Sequence, residues 1–393
     1  MALAAQQVDP RVLDAAITSQ ILEMGEDMTQ PLISGAFAPN GNNNTVNVPM
    51  RQVGLTRGFL IKITATFSNP DVAIPATLTP FGAANLLSSV VVTDLDNYQR
   101  INTSGWHLNM LNTAKEGFPF GAALLASATD SPIKYGNNFN AMSASATVPI
   151  NAGTGTIQMY YWVPLAYGKR DLRGALFTGV VNATAYLQFT VNPNAVITSG
   201  DTTLACYGQP ASATPAKITN VSYTVYQNYI DQLPRYSQGP NRGAPVLPPI
   251  SMRTQYRLVN TALGAIAPNQ DFPIPFTNFQ SFLSASVILD QNGVLNPGTD
   301  VAAWKMTAAN TLQFFYLDAI TQAMRQRVRI KTDFPLGTYM FDFREQPINT
   351  NQAGNVQIQL NASTAVAGAQ VLVGWESFAD VNSVLGAQSL PAS

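Results

Sequence analysis

Cys206 and His107 carry the most reactive side chains, and the chain has one of each. One thiol cannot form an internal disulfide. One thiol and one imidazole cannot supply the ligands of a structural zinc site. A Cys–His nucleophile pair remains formally open, but the sequence places no acidic orienter beside it. The plainer readings are a small buried hydrophobe for Cys206, in LACYGQP, and a helix-surface or interface residue for His107. Asp94 and Asp96 in TDLDN resemble the opening of a calcium loop. The required Gly and distal Glu do not follow, so a turn is expected. There is no GxxxxGK(S/T), no GxSxG and no HExxH. No spacing singles out two carboxylates for glycoside hydrolysis. These residues predict no catalytic site, no cofactor and no metal.

The elements that must carry these residues are mostly strands. From about Val46, short runs rich in Val, Ile, Thr, Tyr and Phe are separated by Gly, Pro and Asn. They include Gly58–Phe67, Leu86–Val92, Thr156–Val163, Ala185–Val191, Val221–Tyr226, Ser284–Leu289, Gly337–Phe343, Val356–Leu360 and Val371–Trp375. Strands at this frequency predict a sandwich or barrel. Helical stretches interrupt them: GWHLNMLNTAKE after Ser104, VAAWKMTAAN after Asp300, and LQFFYLDAITQAMR. Ahead of the strands, Asp9 caps and Pro10 opens a helix of about 15 residues at 3.6 periodicity, with Gly25 as its stop. MTQPLISGAFAPNGNNNTV follows without a period and reads as an irregular connection.

The chain has 393 residues and a formal net charge of −1, with charged residues at 11%. Ordinary soluble chains carry about 25%. Hydrophobic content is 46%, which excludes a disordered chain. There is no basic excess of the kind nucleic-acid binders show, and no apolar run of a membrane span. The start, MALAAQQVDPRV, has no basic region and no apolar run of a signal peptide, so synthesis in a reducing compartment is expected. A folded chain this short of charge is expected to spend its life against neighbours.

The two parts of the chain look alike. LLSSVVVTD, ending at Asp94, parallels FLSASVILD, ending at Asp290, and Trp106 parallels Trp304 at nearly the same separation. GTIQMYYWVP from Gly155 parallels GTYMFDFREQP from Gly337. YLQFTVN from Tyr186 parallels VQIQLN from Val356, and VSYTVYQ from Val221 parallels VLVGWES from Val371. Between them lies LPRYSQGPNRGAPVLPP, whose prolines and glycines read as a linker. The expected fold is mainly β: two tandem eight-stranded jelly rolls with helices inserted in loops and an N-terminal amphipathic helix. The expected divisions are residues 1–45, a helical arm and connection; 46–232, the first jelly roll; 233–249, the linker; 250–381, the second jelly roll; and 382–393, a tail. Three such chains would set six similar domains around an axis.

Thr103–Gly117, Thr129–Gly136, Met159–Tyr167, Ser222–Pro234 and Thr332–Met340 closely resemble the major coat protein of tectiviruses, the tailless icosahedral bacteriophages with an internal membrane. The matches run in order across most of the chain. The resemblance implies a structural double jelly-roll capsid protein, made in the host bacterial cytoplasm and located in the virion. It implies homotrimers tiling the facets of an icosahedral shell, with minor capsid and vertex proteins as further partners. It also places the N-terminal helix beneath the shell, near the viral membrane. Val8, Val12, Leu13, Ala16, Ile17 and Ile21 would form its membrane-proximal face. Residues 1–27 hold one Arg against five acids, so attraction to anionic lipid has the wrong sign here.

Trp106 and Trp304 are read as helix anchors or subunit contacts. Arg325, Arg327, Arg329 and Lys331 alternate in RQRVRIK and are read as a cationic strand face for subunit contact. No direct nucleic-acid binding is expected of them, since the cluster is short and lacks interleaved aromatics. The competing reading is a secreted or surface β-sandwich adhesin or carbohydrate-binding protein.

Overall fold

The computed structural model describes residues 9–380 apart from 40–43, 80–81, 117–140, 181–183, 193–195, 198–203, 211, 268–269, 277–279, 292–293, 296–300, 309–311, 331–333, 335–336, 351–354 and 363–368. Eight strands build the first half: β1 (Glu26–Phe37), β2 (Thr45–Pro49), β3 (Leu55–Asn69), β4 (Leu87–Thr93), β5 (Gln99–Thr103), β6 (Gly153–Pro164), β7 (Tyr186–Val191) and β8 (Lys217–Asp231). Eight more build the second: β9 (Thr254–Ala265), β10 (Asp271–Pro275), β11 (Ser281–Gln291), β12 (Val301–Ala308), β13 (Leu312–Leu317), β14 (Thr338–Asp342), β15 (Gln357–Ala362) and β16 (Ala369–Asp380). Among the described residues the α-helices are α1 (Pro10–Met24), α2 (Gly105–Glu116) and α3 (Ala319–Ile330). Shorter strands pair at the margins.

Sheet order identifies the architecture. In the first half the sheets run β1-β8-β3-β6 and β2-β7-β4-β5. In the second they run β9-β16-β11-β14 and β10-β15-β12-β13. Each order is first-eighth-third-sixth and second-seventh-fourth-fifth, so the halves are two jelly rolls of the same topology. Period-2 alternation sends Phe59, Ile61 and Ile63 of β3 into the first core, while Leu60, Lys62 and Thr64 face outward. The second core gathers around Trp304, Phe341 and Trp375.

The rolls are joined by more than their linker. β5 and β9 pair in parallel through Leu258↔Ile101 and Val259↔Asn102. One sheet of the first roll therefore continues into one sheet of the second.

Several sequence expectations change. The stretch read as an irregular connection contains β1, which pairs with β8 along its length. The first roll thus begins near Glu26. Pro31 and Gly35 hid this strand, yet β1 is an edge strand, where proline is tolerated. VAAWKMTAAN is not helical: Val301–Ala308 is β12, held on one side by β13 and on the other by β15. Its Ala, Met and Lys favour helix, and pairing on both edges overrides that weak preference. Asp300 lies outside the described residues. Of the next stretch, Leu312–Leu317 is β13 and the helix begins at Ala319.

The internal alignment shifts accordingly. Leu87–Thr93 is the fourth strand of its roll, whereas Ser281–Gln291 is the third of its own. Trp106 stands on a helix and Trp304 on a strand, so they are not counterparts. The three later pairings, β6 with β14, β7 with β15 and β8 with β16, join equivalent strands.

Candidate assembly surfaces

The seam between the rolls is built on α2. It follows β5, packs on β6 and β4 of its own roll, and meets β11 of the other. His107 is fully buried rather than on a helix surface. A Cβ added to Gly374 of β16 would lie 2.4 Å from its ring, so glycine lets the helix approach. Thr103 Oγ1 donates to Asn260 Oδ1 at 3.0 Å, which leaves His107 Nδ1, 2.7 Å away, to donate to that oxygen. His107 Nε2 has no partner among the described residues. Burial holds the ring neutral and lowers its pKa to about 4.

Two turns along α2, Lys115 reaches Glu376 of β16, which is 0% exposed. Lys115 Nζ lies 2.9 Å from Glu376 Oε1 and 4.5 Å from the ring centres of both Tyr167 and Tyr256. Tyr256 donates to Oε1 at 2.6 Å and Ser284 to Oε2 at 2.7 Å. Burial alone would raise the Glu376 pKa. Lys115, Arg344 and these hydroxyl donors outweigh it and hold the pKa down at about 2. A buried ion pair survives only with its remaining sites satisfied, as here. Sequence reading missed this pair, because Lys115 and Glu376 are far apart in the chain and neither stands in a motif.

The other residues of interest fall as follows. Cys206 is a buried thiol whose pKa burial pushes up, so it is not poised as a nucleophile. Asp94 closes its turn by accepting from Asp96 N and Tyr98 N, and it forms a buried 2.9 Å pair with Arg100. Trp106 is buried in the first core and Trp304 in the second. Both are core residues, so exposure offers neither as a surface contact. Among the described residues no cluster of His, Cys, Asp and Glu is arranged to hold a metal ion.

α1 is fastened to the body. Asp9 caps it by accepting from Arg11 N, and Gly25 ends it where a Cβ would meet Ile230. Ile21 is fully buried with Leu55, Leu172 and Ile230, and Ile17 packs on the same cluster. Asp14 accepts from Ile250 N, Ser251 N and Ser251 Oγ. Asp27 pairs with Arg57 at 3.0 Å. Several acids of the arm therefore have structural tasks, and the predicted lipid-facing row splits. Ile21 faces the body, whereas Val12, Leu13 and Ala16 are exposed. Val8 lies outside the described residues.

The arginines expected on a strand face stand on helix α3 instead. Arg329 donates to Asp342 O at 2.7 Å, and Arg325 stacks 5.2 Å from the Phe315 ring centre. Arg327 is exposed, and Lys331 lies outside the described residues. α3 turns Gln322, Gln326 and Ile330 inward, with Gln326 Oε1 accepting from Met340 N at 2.7 Å.

The outer side of β1-β8-β3-β6 is a third surface. Trp162, Leu60 and Tyr226 align in one row across β6, β3 and β8, and Tyr160, Lys62 and Thr224 in the next. These residues are only half-buried. With α1 as a wall, Leu60, Tyr160 and Trp162 of these rows line a groove of about 1080 Å³, which also takes in Glu23, Asp27, Arg57, Lys115, Lys169 and Arg170.

Comparison with known proteins follows the same division. A family model described as the P3 major capsid protein N-terminal matches residues 5–233, and one described as its C-terminal matches residues 253–392. The chain is 38% identical over 372 residues to major capsid protein P3 of Enterobacteria phage PRD1, covering 94% of this chain and 92% of that one. Its fold is similar to a chain of Sulfolobus Turreted Icosahedral Virus, with a TM-score of 0.61 at 13% identity, covering 90% of this chain and 91% of that one. It is also similar to the PBCV-1 virus capsid, with a TM-score of 0.55 at 10% identity, covering 90% and 94%. These relatives are capsid proteins and lend no support to the adhesin reading.

Proposed function

Because the chain belongs to the P3 major capsid protein family, we propose that three copies close into a pseudo-hexagonal homotrimer that tiles the facets of an icosahedral virion enclosing a membrane. The protein is a structural component of the virion shell, not an enzyme, and it assembles with copies of itself. The observation that carries the finer reading is the repetition of one sheet order in two rolls of a single chain. Two similar rolls per chain give six around a three-fold axis, and a near-hexagonal block tiles a flat facet.

Rigidity of the block supports this reading. The α2 seam, the parallel β5–β9 pairing and the Lys115–Glu376 pair fix one roll against the other. Native mass spectrometry of the purified chain is expected to show trimers. A stable monomer at micromolar concentration overturns the proposal.

For the membrane, α1 offers Val12, Leu13 and Met24, which are exposed. An apolar helix edge of this kind supports shallow interfacial contact rather than insertion. No helix among the described residues is long and apolar enough to cross a membrane. Flotation with anionic and with zwitterionic vesicles tests the contact. Binding is expected to be no stronger to anionic vesicles, since the arm is acidic, and to weaken in Leu13→Ser. Flotation with neither vesicle overturns direct contact.

A further inference from the structure

α3 is inside out for a surface helix. Gln322 and Gln326 face the protein, while Ile320, Met324 and Val328 face solvent at 76, 57 and 77% exposure. Residues four apart share one helical face, so these three form a continuous apolar stripe. A surface helix normally buries such a stripe.

α2 shows what the stripe is for. The two helices connect equivalent strands, fifth to sixth, in the two rolls. Their first turns close on Ser104 O and Asp318 O. Counted from those residues, Trp106, Met110 and Ala114 occupy the places of Ile320, Met324 and Val328. Trp106 and Met110 are buried and Ala114 packs beside them, in a core that continues into the second roll through Leu283, Ile288 and Leu372. The same positions are covered on one helix and bare on the other.

The covering surface has a bare counterpart too. α2 lies against the outer side of β9-β16-β11-β14, where Gly374, Glu376 and Ser284 are buried. The equivalent sheet of the first roll, β1-β8-β3-β6, leaves Leu60 and Trp162 half-exposed at its groove and Tyr226 half-exposed beside Leu60. At about 1080 Å³ the groove is at the upper end of small-molecule pockets, roughly 300–1,000 Å³, and suits a larger occupant.

We propose that α3 of one copy docks through Ile320, Met324 and Val328 onto the outer side of β1-β8-β3-β6 of the next copy. The contact sets α3 against this sheet as α2 lies against β9-β16-β11-β14 within the chain, where His107 and Lys115 of α2, which meet Gly374 and Glu376, hold the places of Thr321 and Arg329 beside the stripe. It rests on the homotrimer reading and deepens it by naming the two surfaces that meet. Such a contact is head-to-tail: each copy offers a helix and receives one, and the ring closes when the rotation permits. Charge bears on the orientation of this arrangement. α3 carries Arg325, Arg327 and Arg329 and no acid. Glu23 and Asp27 line the groove from α1 and β1, and Glu26 is exposed beside them. Lys169 and Arg170 line it from the loop after β6, while Arg57 and Lys115 line it paired with Asp27 and Glu376. Charge therefore supplies no net attraction and instead favours the orientation that brings the arginines to Glu23 and Glu26.

The test uses the full chain. Val328→Cys and Leu60→Cys are made separately, mixed, dissociated and reassembled, then treated with a short bis-maleimide; the native Cys206 is buried. A dimeric adduct joining the two variants is expected, and neither variant alone should give it. In parallel, Met324→Glu is expected to abolish the trimer peak in native mass spectrometry while circular dichroism stays unchanged, because the site is exposed in the protomer. Met324→Leu should retain the trimer. Trimers that persist in Met324→Glu, with no adduct joining the Val328→Cys and Leu60→Cys chains, overturn the docking and leave the homotrimer standing. An adduct formed within one doubly substituted chain overturns it as well. A monomeric unsubstituted protein overturns the homotrimer reading, and the docking with it.

Discussion

The two jelly rolls share a topology and differ in how their helices are covered. In the first roll α2 is buried between its own strands and the sheet of the second roll. In the second roll α3 packs on strands of its own roll and meets α2, with Ile330 entering the first core, but its stripe of Ile320, Met324 and Val328 stays bare. The paired sheets differ in the same sense. The outer side of β9-β16-β11-β14 is closed by α2: Gly374 and Glu376 receive the helix, and Ile288 and Leu372 of the same face join the first core. The outer side of β1-β8-β3-β6 is open and carries Leu60, Trp162, Tyr160 and Tyr226. A surface already filled has been shaped for its helix, with glycine under an imidazole and a carboxylate under an ammonium. A surface still open presents adaptable aromatic area of the kind enriched at protein interfaces. The same kind of helix thus has its apolar positions covered in one roll and bare in the other, and the proposed docking would cover the second as the first is covered.

The sharpest way to break the covered seam is at its ion pair. Lys115→Met strands the buried Glu376 carboxylate and is expected to cost about 3–5 kcal/mol in denaturant unfolding. Adding Glu376→Leu to it should recover most of that loss, because two apolar groups need no counter-charge. An equal loss in the double variant would show that the pair itself fixes the seam.

Acid should open the seam in two stages. His107 is held neutral, with a folded pKa of about 4 below its ordinary value near 6.5. The unfolded chain binds that proton first, so stability present above pH ~6.5 falls as the pH drops toward 4. Glu376 is depressed to about 2, so its contribution is lost between about pH 4.5 and 2. Thermal melts against pH are expected to show both declines, and His107→Gln should remove the upper one. A melting temperature flat from pH 7 to 4 would contradict the buried neutral imidazole.

Gly374→Ala sharpens the comparison further. The new methyl meets the His107 ring and should cost about 1–3 kcal/mol, as overpacking does. The smallest effect is expected on the uncovered side. Arg329 sits 3.7 Å from the exposed Glu345, and Arg329→Met should change protomer stability by less than about 1 kcal/mol. A larger loss would mean that α3 depends on its arginines for its own position.

Much of this was legible from residue order. Asp9-Pro10 and Gly25 bounded α1 because capping is local chemistry. The alternating apolar runs marked strands, since a half-buried strand must alternate. β1 escaped because Pro31 and Gly35 interrupt its pattern at a sheet edge, where alternation is weak. β12 escaped because its residues suit a helix in isolation and only two flanking strands make them extended. The alignment of Asp94 with Asp290 and of Trp106 with Trp304 failed for a related reason. An apolar strand ending in an acid recurs wherever a strand runs into a turn, so likeness there does not establish equivalence.

The sequence by itself determined the class of the molecule: two β rolls in tandem, low in charge and similar to capsid proteins. Composition, periodicity and contiguous motifs are properties of neighbours along the chain, and they can be read there. Only the tertiary structure decided which strands are equivalent, that Lys115 and Glu376 meet, and that α3 turns its glutamines inward and its apolar stripe outward. Those facts depend on what stands on the far side of each residue, and burial by a distant segment leaves no local mark.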